Sequence, residues 1–317
     1  MPTPDDLPKD VVEIREDIRS MRIRGAGRIA RAAAAALAKA ATAFRGDDLK
    51  EFMEYMEGVA AFLREARPTA VSLPNATSFV INKLRRGNPA TVEDGRRIVE
   101  AAAREFIEYS GRAVETIGEL GARRFRNGDV VMTHCHSSAA AAVLTAAHRA
   151  GKVNKVYVKE TRPKLQGLIA AKVLADAGLD VILIPDSAVR YFMKDVDRVI
   201  VGADAVAANG AVVNKVGTSV VALAAKEARV NFYVAAETYK FSPKSLVGEL
   251  VPIEFRDPAE VTGKEWLQGH PDIEVLNPVF DVTPAEYIDA IITEKGVISP
   301  YAAPLILLEE YGVSAWS

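Results

Sequence analysis

The chain has 317 residues, with 40 Lys+Arg against 42 Asp+Glu, a net charge of −2, 49% apolar residues and one cysteine, Cys135. That length predicts about two domains with an ample core. The near-neutral total excludes a general nucleic-acid binder, and a single cysteine excludes an intramolecular disulfide or a Cys-cluster zinc site and suits a reducing compartment. Neither a secretory h-region in the polar, acidic first segment nor an apolar run of about 18 residues is present.

Residues 1–125 read as helical. Ile23 to Phe44 is dominated by alanine, the best helix former. Asp47 to Arg64 repeats Leu49, Phe52, Met53, Met56, Val59, Ala60 and Leu63 at helical spacing, and Thr91 to Ala122 continues the pattern. Between them, Arg67 to Pro89 carries Pro68, Pro74 and Pro89 and reads as less regular.

At Gly128 the pattern changes to short apolar runs alternating with helical segments. Strands are predicted at Asp129–Thr133, Lys155–Lys159, Val181–Ile184, Arg198–Val201 and Asn231–Ala235, with a small hairpin arm at Val212–Val213. Helices fall at Ser137–Ala150, Leu165–Ala177, Ser187–Met193 and Val216–Arg229. In the tail, strands are expected around Ile253 and Val275 and a short helix over Pro284–Thr293. The fold class is therefore α/β: a helical N-terminal domain, 1–125, followed by a doubly wound parallel sheet, 126–317.

Ligands of an open parallel sheet bind beyond the carboxyl ends of its strands. Those ends carry Thr133-His134-Cys135-His136-Ser137-Ser138, Glu160-Thr161-Arg162-Pro163, Pro185-Asp186-Ser187, Gly202-Ala203-Asp204 and Glu237-Thr238-Tyr239-Lys240. Ordinary helix capping accounts for Ser137, Thr161 or Asp186 one at a time, but not for five polar ends on one edge. Cys135 stands just before a helix start, a position that lowers a thiol pKa and suits a base or nucleophile; a lone cysteine is otherwise a small buried hydrophobe. His134 and His136 alternate with it on an extended segment, so the three do not share a face as metal ligands would. Ser137-Ser138 opens a helix whose amides suit a phosphate, or simply a capped end. Asp204 follows an apolar strand, where partial burial fits a carboxyl for proton transfer, or a turn aspartate. Arg24-Gly25-Ala26-Gly27-Arg28 opens the alanine helix and is neither a Walker loop nor a dinucleotide fingerprint. Residues 1–125 hold 21 Lys+Arg, 17 of them arginine, and that type favours bidentate anion contacts wherever it is not merely on a solvated face.

Together with Asn214-Lys215-Val216-Gly217-Thr218 and Glu237-Thr238-Tyr239-Lys240-Phe241, these strand-end motifs resemble, in order and spacing, the translation initiation factor 2B-like sugar-phosphate isomerase superfamily. Within it the chain looks most like the ribose-1,5-bisphosphate isomerases of archaea. The resemblance spans essentially the whole chain. It implies a Rossmann-like C-terminal domain and conversion of ribose 1,5-bisphosphate to ribulose 1,5-bisphosphate in AMP and nucleoside salvage. No metal or redox cofactor is implied. The other implications are a cytoplasmic homo-hexamer built as a trimer of dimers, with AMP as an activator. Carried over by motif, Cys135 is the base that takes the C2 proton and Asp204 the acid partner. Arg24, Gly25, Ala26, Gly27, Arg67, Ser137, Ser138, Ala139, Asn214, Lys215 and Lys240 hold the phosphates and sugar hydroxyls.

Two alternatives stay open. A methylthioribose-1-phosphate isomerase shares the Cys/Asp pair, but its glycine motif usually reads Arg-Gly-Ala-Pro-Ala where Gly27-Arg28 stand here, and Asn and Gly usually follow its cysteine where His136-Ser137-Ser138 stand here. A non-catalytic initiation factor 2B-like regulatory subunit generally lacks the paired Cys and Asp.

Overall fold

A computed structural model describes Leu7–Gly312. The chain divides into two compact units between Arg112 and Ala113, inside a long helix, α5 (Val92–Ala122). The change of sequence pattern near residue 125 marks the end of that helix.

The N-terminal unit is helical: α1 (Lys9–Arg19), α2 (Ala26–Ala43), α3 (Leu49–Arg64), α4 (Ser72–Arg86) and the first part of α5. The alanine stripe of α2 (Ala30, Ala33, Ala34, Ala36, Ala40, Ala41) is buried, as are Phe52, Met56, Val59 and Leu63 at three- and four-residue spacing on α3. Asp48 caps α3 by accepting from Glu51 N at 2.8 Å. The segment expected to be less regular holds α4 despite Pro74. The proline occupies the first turn, where its missing N–H has no intrahelical partner to lose.

The C-terminal unit is built on seven strands in the order β10-β9-β7-β4-β1-β2-β3. These are β1 (Asp129–Thr133), β2 (Val153–Lys159), β3 (Asp180–Ile184), β4 (Arg198–Gly202), β7 (Asn231–Ala235), β9 (Ala290–Thr293) and β10 (Gly296–Ile298). All neighbours are parallel except β10, which runs antiparallel to β9. Strand order runs outward from β1 in both directions, so the chain reverses its winding between β1 and β4. Residues alternate between two cores. Met132, Tyr157, Val199, Val201, Phe232, Val234 and Ile291 face α9 (Thr218–Ala228) and α12 (Ala303–Tyr311). Val131, Val156, Val158, Ile200, Tyr233, Ala235 and Ile292 face α6 (Ser138–Arg149), α7 (Gln166–Asp176) and the end of α5. Burial on both faces is why these strands read as continuous apolar runs. Between β3 and β4 lies α8 (Val189–Phe192). A second, antiparallel sheet joins β5 (Ala205–Val206), β6 (Val212–Lys215) and β8 (Phe280–Thr283) in the order β5-β6-β8.

The tail departs from expectation. The segments around Ile253 and Val275 form no strand; the only β-pairing in this region is an isolated bridge between Phe255 and Pro278, and α10 (Ala259–Thr262) and α11 (Lys264–Gly269) fall between them. The expected helix over Pro284–Thr293 is a short 3₁₀ turn, Ala285–Tyr287, followed by β9. Ile291 and Ile292 are fully buried on opposite faces of the sheet beside β7, a demand that suits β-branched residues and overrides the helical spacing. No helix of the described residues is long and apolar enough to cross a membrane.

At the amino ends of β1, β4 and β7, the buried Arg198 donates to Asp129 Oδ2 at 2.7 Å and to Asn231 Oδ1 at 2.7 Å. Removing one partner of such a pair strands a buried charge. Arg198→Met is expected to cost about 3 kcal/mol in urea unfolding, and Arg198→Met combined with Asp129→Leu to recover part of that loss.

Candidate active site

The carboxyl ends of β1 and β4 flank the point where the winding reverses, and they carry Cys135 and Asp204. Cys135 sits at φ 65°, in the left-handed region that a side chain with a Cβ rarely adopts. Its N–H donates to Thr161 Oγ1 at 3.0 Å, and Thr161, beyond β2, is itself at φ 61°. His134 is 1% exposed, and its Nε2–H donates to the Val216 carbonyl at 2.9 Å. That fixes Nδ1 as the bare nitrogen, 3.3 Å from Thr161 Oγ1. Burial, with Lys159 beside it, drives the His134 pKa down to about 3, so the ring is neutral.

Ser137 caps α6 by accepting from Ala140 N at 3.2 Å, leaving the Ser138 and Ala139 amides outside the helical ladder. The end of β4 approaches this cap so closely that a Cβ on Gly202 would lie 2.3 Å from Ser137 Oγ. Glycine at 202 thus lets the β1 and β4 ends converge. Asp204 is half-buried, and its N–H donates to Val213 O at 2.9 Å, which sets it level with Asn214 on β6. Asn214 Nδ2 donates to Thr218 Oγ1 at 3.0 Å, and the ammonium of the buried Lys215 lies 5.1 Å from the centre of the Phe280 ring.

These groups act on Cys135 with opposite signs. Desolvation pushes its thiol up; Lys215 pulls it down, the Asp204 carboxylate pushes it up again, and the His136 N–H favours the thiolate. The balance is a thiol raised from 9.0 to about 11. The lowering expected from a helix start is therefore absent. Burial outweighs it, and Ser137 already occupies the α6 cap.

Beyond β7, Lys240 is 5% exposed and its Nζ lies 2.6 Å from Glu237 Oε2, while Tyr239 Oη donates to Glu237 Oε1 at 3.0 Å. Burial alone would raise the Glu237 carboxyl, but the Lys240 ammonium holds it below the usual range. The N-terminus of α9 is filled from within: Asp281 Oδ2 accepts from Gly217 N at 2.7 Å and from Ser219 Oγ at 2.7 Å. Of the α6 and α9 starts, α9 carries its own carboxylate and α6 does not.

Within the N-terminal unit, Gly25 opens α2 at φ 89° with Arg24 and Arg28 exposed on either side of Gly25–Gly27. Ser72 Oγ donates to Ala26 O at 3.0 Å, and Ile23, Ala66, Ala70 and Leu73 share one small cluster. The half-buried Arg67, in the turn that closes with Ala70 N donating to Arg67 O, is thereby brought beside the Arg24–Gly27 segment from about 40 positions away.

Residues 22–300 match the model of the Initiation factor 2 subunit family, IF-2B. The chain belongs to that family. The IF-2B chain is 53% identical over 307 residues to the ribose 1,5-bisphosphate isomerase of Thermococcus kodakarensis, covering 96% of this chain and 95% of that protein. It is 38% identical over 304 residues to the methylthioribose-1-phosphate isomerase of Acetivibrio thermocellus, covering 92% and 89%. Among solved structures, the Pyrococcus horikoshii OT3 translation initiation factor eIF-2B aligns with a TM-score of 0.78 at 32% identity, covering 93% of this chain and 98% of that one.

Three groups of this IF-2B site escaped the sequence reading. Asp281 comes from β8, which was not expected to exist. Glu294, just after β9, accepts from Thr238 N at 3.0 Å and has the same origin. Lys159 was legible only as the polar end of a strand; in the fold it is 1% exposed, and a Cβ on Gly217 would lie 3.1 Å from its Nζ.

Proposed function

We propose that this protein is a ribose-1,5-bisphosphate isomerase. The observation that carries this is the 53% identity to the T. kodakarensis enzyme over 96% of the chain, with Cys135 and Asp204 flanking the sheet's switch point. The arrangement fits aldose–ketose chemistry, which needs one proton acceptor and one donor near adjacent carbons. Cys135 and Asp204 share one proton. The free protein keeps it on the thiol, and the productive state moves it to Asp204, leaving a thiolate beside Lys215. Asp204 then protonates the ring oxygen as its bond to C1 breaks, and Cys135 takes the C2 proton to give the C1=C2 enol phosphate. Return of that proton to C1, with the C2 hydroxyl proton passing to Asp204, yields the ketone and restores the pair. No atom is gained or lost.

Two phosphates need two anchors. The α6 start (Ser137–Ala139), with Asn214-Lys215 and Lys240 on the same edge, is one within the C-terminal unit; within the N-terminal unit, the Arg24–Gly27 segment with Arg67 offers a separate set of cations suited to an anion. Lys240 serves either by exchanging Glu237 for phosphate or by adding its field from within the pair. The same proposal puts the enzyme in AMP and nucleoside salvage in the cytoplasm, as a homo-hexamer built as a trimer of dimers and activated by AMP.

Incubation with ribose 1,5-bisphosphate, methylthioribose 1-phosphate and ribose 5-phosphate tests this reading. Ketose is expected from the bisphosphate, with kcat/KM at least about 100-fold above the other two, since an anchor lost with one phosphate costs about 3 kcal/mol. Equal use of methylthioribose 1-phosphate would contradict it.

A further inference from the structure

Proton transfer as proposed requires the Cys135 thiol to be held at a fixed place, yet nothing in residues 134–136 dictates the left-handed backbone at Cys135. A cysteine gains nothing there by itself, and positive φ outside glycine costs of order 1 kcal/mol or more. The force that holds it comes from another strand end. Thr161 is fully buried, and its Oγ1 accepts from Cys135 N at 3.0 Å. Its hydroxyl proton is shared between the bare His134 Nδ1 at 3.3 Å and Lys159 O at 3.1 Å. Thr161 is in turn bent into its own positive φ by Asp186, which follows β3: Oδ1 accepts from Thr161 N at 3.0 Å and Oδ2 from Arg162 N at 2.7 Å. The buried Lys159 ammonium lies 3.8 Å from Asp186 Oδ1 and donates to Gly217 O at 3.3 Å, which ties this carboxylate to the turn after Lys215.

Resting on the isomerase reading above, we propose that Thr161, clamped by Asp186, is a positioning residue that seats Cys135 for proton transfer. Neither side chain needs to touch the sugar. The hydroxyl fixes the backbone of the residue that does, and a displacement of about 1 Å in a reacting group is enough to cost about 100-fold in rate. The order of dependence runs from β3 through β2 to β1, so the seat of the thiol is set by strands that carry no acid or base of the reaction.

The test compares Thr161→Val, Thr161→Ser and Asp186→Asn with the wild type by kcat and KM on ribose 1,5-bisphosphate and by the iodoacetamide rate of Cys135 at pH 8. Thr161→Val keeps the shape and loses the acceptor; it is expected to lower kcat about 100-fold with KM within about twofold, because phosphate anchoring is untouched. Released from its desolvated seat, the thiol is expected to alkylate at least about tenfold faster. Thr161→Ser retains the oxygen and is expected to stay within about threefold of wild type on both readouts. Asp186→Asn offers only one acceptor oxygen to two N–H groups and follows Thr161→Val in kcat and KM, which carry the test if the valine variant does not fold; its alkylation rate is set apart, because loss of the Asp186 charge lowers the thiol by itself. Wild-type kcat and alkylation in Thr161→Val, or a Thr161→Ser loss equal to it, would overturn the proposal. A wild-type protein without isomerase turnover would instead defeat the isomerase reading, while the alkylation series still decides whether Thr161 seats the thiol.

Discussion

Cys135→Ser is expected to lower kcat on ribose 1,5-bisphosphate by about a thousandfold with KM little changed, the loss typical of a positioned acid–base group. A serine hydroxyl fits the same left-handed seat and keeps its N–H bond to Thr161, so folding is expected to persist. It cannot ionise at neutral pH beside Lys215, so the C2 proton has no acceptor. Asp204→Asn is expected to fall by a similar factor because the shared proton loses its second site. The two losses should not multiply, since groups that exchange one proton act as a unit. Steady-state kinetics of both single variants and the double variant measure this. Turnover within about tenfold of wild type in either single variant would remove the pair from the mechanism.

The second large effect lies in the thiol itself. Cys135 is the only cysteine, so iodoacetamide uptake reports on it alone. With the thiol raised from 9.0 to about 11, its thiolate at neutral pH is about 100-fold scarcer than that of an unperturbed thiol, and alkylation should be slower by about that factor. The causes fix the signs of the variants. Asp204→Asn removes a charge that raises the thiol and should speed alkylation; Lys215→Met removes one that lowers it and should slow alkylation. Linkage gives a further sign. The folded thiol holds its proton while the unfolded one loses it, so the contribution to stability is intact below pH 9 and is lost as pH rises toward 11. A rate that levels off near pH 9 would show the thiol to be unperturbed.

The doubly wound sheet was legible because burial on both faces leaves continuous apolar runs such as Val199–Val201 and Phe232–Val234, punctuated by turns. The tail was not, because Ile291 and Ile292 are drawn into the sheet by β7, a partner more than 50 residues away. Cys135 and Asp204 stood out as polar residues at strand ends. The state of Cys135 did not: helix-start position argued for a low pKa, whereas desolvation is a property of the packed fold. Thr161 reads in sequence as a capping residue, and its hold on Cys135 depends on a left-handed backbone that Asp186 imposes from the next strand. Asp281, from a strand absent from the sequence pattern, fills the helix start at Gly217-Thr218.

The most direct test of proton transfer from C2 is a single turnover of ribose 1,5-bisphosphate deuterated at that carbon, followed by NMR. The account predicts ribulose 1,5-bisphosphate as product, formed more slowly than from unlabelled sugar and at the unlabelled rate when the label is moved to C3. No ketose, or equal rates with the C2 label and without it, would contradict it.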